Sequence, residues 1–163
     1  MMSFRQVEPG DFEELTRFFT NNNTREVLRK FNPFPLTEAT AREICRSDQL
    51  DRYFVARVEG EVVGLSMLRG WSEGFVTPSL GILVDRSRTG KGLGRQMTEA
   101  TLAEARKAGC GKVRLSVYAS NTAAVSLYQS LGFVESDAQP VVIPGERDVK
   151  DVKIVMTKAL ERP

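Results

Sequence analysis

Between residues 75 and 108 the chain runs an apolar strand into a glycine-rich turn and then into a long amphipathic stretch, and this succession limits the folds open to it. The segment Phe75 to Asp85 contains Leu80-Gly81-Ile82-Leu83-Val84, with no polar residue to mark a wet face. Such a run suits a central strand covered on both sides. From about Gly92 to Ala108 the apolar or small residues Leu93, Met97, Ala100, Thr101 and Ala105 recur three and four apart, the period of a helix with one buried face.

The flanking segments supply the remaining layers. Ser3 to Glu8 reads as a first strand. Asp11 and Glu14 form a capping-box-like start to a helix carrying Phe12, Leu15, Phe18 and Phe19. Asn21 to Leu36 is polar, closes on Pro33 and Pro35, and reads largely as loop. Thr37 caps a second helix to about Cys45. Tyr53 to Val58 and Glu61 to Arg69 are strands joined by a tight turn at Glu59-Gly60. Past the long helix, Val113, Leu115 and Val117 alternate with Arg114, Ser116 and Tyr118, a half-buried strand. Asn121 opens a short helix that Gly132 closes. Phe133 to Ser136 starts a strand, Asp137 to Asp148 reads as loop around Pro140, Pro144 and Gly145, and Val152 to Met156 is the last strand. These elements predict one α+β domain over residues 1–163, with a mixed central sheet of about six to seven strands flanked by about four helices.

Composition closes off several functions. With 23 basic and 21 acidic residues the net charge is +2, too balanced for a nucleic-acid partner. The chain has no histidine, and Cys45 and Cys110 are its only cysteines. Ser-His-Asp and Cys-His catalysis are thereby excluded, and no metal site is expected. Any general base must be a carboxylate, tyrosine, cysteine, lysine or water. Met1 to Leu15 holds five charged residues and no apolar run, so no signal peptide is expected. No stretch reaches the roughly 20 apolar residues of a membrane span, and the expected setting is the cytoplasm.

The glycine-rich turn reads Asp85-Arg86-Ser87-Arg88-Thr89-Gly90-Lys91-Gly92-Leu93-Gly94-Arg95. Gly90, Gly92 and Gly94 leave the backbone uncovered, so several N–H groups can point at one anion. The helix N-terminus adds positive potential, and Arg88, Lys91 and Arg95 supply full charges. Together these describe a pyrophosphate cradle. A Walker loop is excluded because Gly92 follows Lys91, and a dinucleotide fingerprint because the third glycine comes one residue early. The competing reading is a flexible turn with solvated charges.

A second segment runs from Asn121 to Phe133 and follows the pattern N-x-x-A-x-x-L-Y-x-x-L-G-F, with Ala124, Leu127, Tyr128, Leu131 and Gly132 at the listed positions. By itself it describes an amphipathic helix with a buried tyrosine. Taken in order after the glycine turn, it resembles the GNAT superfamily of N-acetyltransferases. That family's loop has a Gln or Arg, two residues, a glycine, one residue and a Gly or Ala; here Thr89 to Gly94 corresponds, with Thr89 in place of the Gln or Arg and Arg88 one residue early.

The resemblance implies that acetyl-CoA is the co-substrate and that the strands ending near Asp85 and Tyr118 splay apart around its pantetheine arm. Backbone groups of Ile82, Leu83 and Val84 would bond that arm. Arg88, Thr89, Gly90, Lys91, Gly92, Leu93, Gly94 and Arg95 would hold the pyrophosphate, with Asn121 as a helix cap that touches the coenzyme. Tyr128 would serve the leaving thiolate as acid or hydrogen-bond donor. The acceptor amine would attack the thioester directly, in keeping with the missing histidine. Glu73 is the first choice for its base, with Ser79 nearby; Asp85 reads as a turn residue, and Tyr118 as cleft or outer-face. The resemblance places acceptor choice in Asn21 to Leu36 and Asp137 to Lys150. The expected partner is a small-molecule amine, an amino sugar or amino acid, with a second copy of the chain as a further candidate partner. A protein N-terminal acetyltransferase and a non-catalytic acyl-CoA sensor are the alternatives.

Overall fold

A computed structural model describes residues 1–31, 33–143 and 148–161. Strand β1 (Met2–Gln6) leads through a turn at Pro9–Asp11 into helix α1 (Phe12–Asn22). Leu15, Phe18, Phe19 and Asn22 of α1 are buried at helical spacing. The expected cap at Asp11 and Glu14 lies one step too late. The reciprocal cap joins Glu8 to Asp11, whose carboxylate accepts the Glu8 N–H at 2.8 Å. Arg5, at 2.7 and 2.8 Å, and Arg57, at 3.0 Å, also donate to that carboxylate. Arg5 chiefly holds Asp11 well below the usual carboxylate range.

The expected loop from Asn21 to Leu36 contains a further helix, α2 (Arg25–Lys30), whose N-cap Thr24 accepts the Val27 N–H at 3.3 Å. Six residues are too few to display a helical period, so capping alone marks it. Helix α3 (Glu38–Ile44) starts at Thr37 as expected.

Strands β2 (Arg52–Val58) and β3 (Glu61–Arg69) form the hairpin. Then come β4 (Ser79–Val84), α4 (Leu93–Lys107), β5 (Lys112–Tyr118), α5 (Thr122–Ser130), β6 (Val134–Ile143) and β7 (Val149–Ala159). Among the described residues the sheet is mixed, with seven strands in the order β1-β2-β3-β4-β5-β7-β6, and only the β4–β5 pair is parallel. The described residues form five α-helices, where about four were expected. The other correction is at the C-terminal end. Asp137 to Ile143, expected as loop, pair with β7, and β7 is longer than the expected Val152 to Met156. β6 is an outer strand, so the missing N–H of Pro140 is tolerated there. Pro144, Gly145, Glu146 and Arg147 lie outside the described residues.

Alternation along the strands divides the core. Leu65, Met67 and Leu83 pack with Phe18 and Phe19 of α1 and Ile44 of α3. On the opposite face Leu68, Leu80, Val113, Leu115 and Val117 pack with Leu102 and Ala105 of α4 and with Ala124, Val125 and Tyr128 of α5. No described helix is long and apolar enough to cross a membrane.

Candidate functional site

β4 and β5 share a single registered pair, Ser79 with Arg114, backed by the Arg114 N–H to Pro78 carbonyl bond at 3.0 Å. Beyond it the strands separate, while β5 stays paired to β7 from Lys112 to Tyr118. The separation leaves an edge inside the sheet. Asp85 donates its N–H to the Val63 carbonyl at 2.8 Å, which fixes the alternation along β4. Leu83, opposite Leu65, turns its backbone groups to β3; Ile82 and Val84 turn theirs into the gap. Of the three expected backbone partners, Ile82 and Val84 therefore face the gap, and Leu83 is buried with its backbone committed.

The gap opens onto the glycine turn. Asp85 acts as the turn residue: its carboxylate accepts the Ser87 hydroxyl and, at 3.2 Å, the Ser87 N–H. Buried Asn22 of α1 holds that turn from behind, donating to Asp85 at 2.9 Å and accepting the Arg86 N–H at 2.9 Å. Gly90 and Gly92 have φ of 77° and 81°, a region that side-chain-bearing residues rarely adopt. Gly92 is the N-cap of α4 and offers no capping side chain, so the first-turn N–H groups at Leu93, Gly94 and Arg95 point outward unsatisfied by one. Arg88 reaches Glu61 at 3.2 Å, and Arg95 donates to Ser130 of α5 at 2.6 Å. Lys91 is exposed and has no ion pair among the described residues. Thr89 is exposed in the same turn.

Asn121 caps α5, accepting the Ala124 N–H at 3.4 Å. That places Tyr128 on the face of α5 toward the sheet, edge-on to Phe133 at 5.7 Å between ring centres. Desolvation pushes its phenol up to about 12. The hydroxyl has no hydrogen-bond partner among the described residues. Tyr128 belongs to the α4 face of the sheet.

On the other face a cavity of about 220 Å³ is lined by Arg69, Glu73, Ser79, Gly81 and Arg114, with Met67, Thr77 and Pro33. Glu73 ends the turn Trp71–Glu73, which buried Asp51 fixes by accepting the N–H groups of Gly70 at 3.0 Å and Ser72 at 3.1 Å. Gly81 forms part of the wall, where a Cβ would come within 3.0 Å of the Met67 side chain. Sequence reasoning singled out Glu73 and Ser79 and missed Arg69 and Arg114. Tyr118 lies on this same face, under the Arg29 guanidinium at 5.8 Å.

Arg29 also carries α2 across to β7, donating to Asp151 at 3.0 Å. The Asp151 side chain is 4% exposed. Ser120, first, then the Val152 N–H and Arg29 hold its pKa down, from 3.8 to about 2. A carboxylate so lowered stabilises the fold above its ordinary pKa and loses that contribution as pH falls toward 2. Asp151→Asn is accordingly expected to melt several degrees below wild type at pH 6, with the difference shrinking between about pH 4 and pH 2. A difference independent of pH would show that the carboxylate's charge is not what closes α2 onto β7.

A profile described as the acetyltransferase (GNAT) family matches residues 13–133. Mycothiol acetyltransferase of Renibacterium salmoninarum is 55% identical over 49 residues, 30% of this chain and 14% of that protein's length. Acetyltransferase SG1711 of Sodalis glossinidius is 26% identical over 158 residues, covering 92% of this chain and 98% of that protein. The structure of yncA from Salmonella typhimurium, determined with its cofactor acetyl-CoA, superposes with a TM-score of 0.81 at 24% identity, covering 98% of this chain and 94% of that one.

Proposed function

Because the chain belongs to the acetyltransferase (GNAT) family, we propose that it moves an acetyl group from acetyl-CoA directly onto a primary amine of a small molecule. One observation carries this reading. A gap in the sheet exposes backbone groups of Ile82 and Val84, with Tyr128 on one face and a charged cavity on the other. The pantetheine arm would bond Ile82 and Val84 as an added strand does. The uncapped start of α4, Gly90 to Gly94 with Lys91, would take the pyrophosphate. Lys91 supplies the charge that Thr89 does not, and the exposed Arg88–Glu61 pair is weak enough for Arg88 to be drawn away.

When bound, the coenzyme supplies an acyl group activated as a thioester. Tyr128 donates a hydrogen bond to the sulfur as charge develops there. Outright proton transfer from a phenol at about 12 to a thiolate near 8.5 runs uphill by about 5 kcal/mol, so the donated bond is the larger effect. Glu73 takes the proton of the acceptor's ammonium, directly or through one water. A cavity of about 220 Å³ has room for roughly seven waters at about 30 Å³ each, enough for a small amine.

Thiol release from acetyl-CoA, measured across amino sugars, amino acids, polyamines and N-terminal peptides, tests the reading. Release with a class of small amines is the expected result. Release with peptides alone would make the chain a protein N-terminal acetyltransferase, and coenzyme binding without release would make it a sensor. Glu73→Gln is expected to lower kcat/KM about a hundredfold at pH 7. The loss should shrink as pH rises and the free amine becomes abundant; a loss that stays constant with pH would remove Glu73 from the base's role.

A further inference from the structure

Arg69, Ser79 and Arg114 form one rung across three strands, with Arg69 opposite Ser79 on β3–β4 and Ser79 opposite Arg114 on β4–β5. At one strand spacing per step, the two arginine Cα atoms are about 10 Å apart. Both residues line the same cavity. Among the described residues the Arg114 guanidinium donates only to the Ser79 hydroxyl, at 3.2 Å. Arg69 donates to the Pro33 carbonyl at 3.4 Å and lies over the Phe34 ring at 5.2 Å. Among the described residues neither guanidinium has a carboxylate within ion-pair distance, and Glu73 in the same wall has no cation. Among the described residues the partly buried Arg57 is paired with Asp11 and Glu14 and Arg29 with Asp151, while Arg52 and Arg106 have no ion pair and line no charged cavity.

Two guanidiniums that line one cavity without a carboxylate partner can together hold an anion in it. Their planar forks match a carboxylate in particular. The lone carboxylate of Glu73, on the same wall, suits an ammonium. We infer that the acceptor is an amino acid whose free carboxylate is held by Arg69 and Arg114 while its amine faces Glu73. This inference rests on the acetyltransferase reading for its claim that the cavity is the acceptor's. It also separates two substrate classes that share an amine, because a protein N-terminus carries a neutral amide where a free amino acid carries its charge.

The test pairs acids with their amides. Calorimetric titration of the protein saturated with coenzyme A would use alanine, leucine, glutamate and phenylalanine, each against its C-terminal amide, which keeps the amine and loses the charge. At least one acid is expected to bind, with its amide a hundredfold weaker or more. Arg114→Met and Arg69→Met should each bring that ratio below about ten with coenzyme affinity unchanged, and Arg114→Lys should restore part of it. Circular dichroism confirms that each variant is folded; should Arg69→Met fail to fold, the Arg114 pair decides alone. Acids and amides binding alike, a preference that survives in the folded variants, or no acid binding at all overturns the inference. The titration needs no turnover. Acid binding without acetyl transfer would refute the enzyme reading alone, and transfer to neutral amines alone would refute this inference and leave the enzyme reading intact.

Discussion

Tyr128→Phe is expected to lower kcat about a hundredfold while KM for acetyl-CoA changes less than threefold. The phenol sits on the face of the sheet opposite the charged cavity, packed on Phe133, and its O–H has no partner among the described residues. In the proposed mechanism this unpaired donor meets the coenzyme's sulfur, and its bond strengthens as the thiolate forms. Desolvation keeps the phenol protonated, with its pKa pushed up to about 12, so the donor is present throughout the working pH range. The variant and wild type should therefore share the same alkaline limb up to about pH 11. Removal of the hydroxyl leaves the ring and its packing in place, so unfolding temperatures should differ little. Equal losses in kcat and in coenzyme binding would show that Tyr128 merely shapes the cleft.

Proline scanning of β4 separates adjacent residues by the direction of their N–H groups. Ile82→Pro is expected to fold and to bind acetyl-CoA about ten- to a hundredfold more weakly, the cost of leaving one ligand carbonyl unpaired. Its N–H faces the gap, where β4 behaves as an edge, and edges tolerate proline. Leu83→Pro is expected to fold poorly, because it removes a ladder bond to β3 and a side chain only 4% exposed. Ile82→Ala serves as the control for lost packing against the core. If Ile82→Pro and Ile82→Ala bind the coenzyme equally well, the Ile82 N–H makes no bond to it.

Legibility in the sequence followed the range of the interaction. The start of α5 could be read because Asn121 accepts from Ala124, three residues away, and its end because Gly132 has a φ of 92°. Strand β4 showed an unbroken apolar run, and helix α4 carried its period over enough residues to be placed. Helix α2 was too short to show one. β6 was read only as far as Ser136, for another reason: nearly all its residues are exposed, so no alternation of burial was there to be written into the sequence. At the site, Tyr128 and the glycine turn belong to contiguous motifs. Arg69 and Arg114 meet Ser79 only through strand pairing, and Asn22 reaches Asp85 across 63 residues. No local pattern announces such a contact. The contrast within Ile82, Leu83 and Val84 likewise depends on one bond, Asp85 to Val63, that sets which residues face the gap.

The single registered pair between β4 and β5 also has a mechanical meaning. It leaves a perforation down the sheet, with β1 to β4 on one side and β5, β7 and β6 on the other. Force applied across that line meets little ladder resistance, so the two halves should part there before either half frays. A ligand bonded to Ile82 and Val84 on one side and packed against β5 on the other would act as a stitch. Tearing strength would then report occupancy, and the seam that admits the coenzyme would be the one the coenzyme mends.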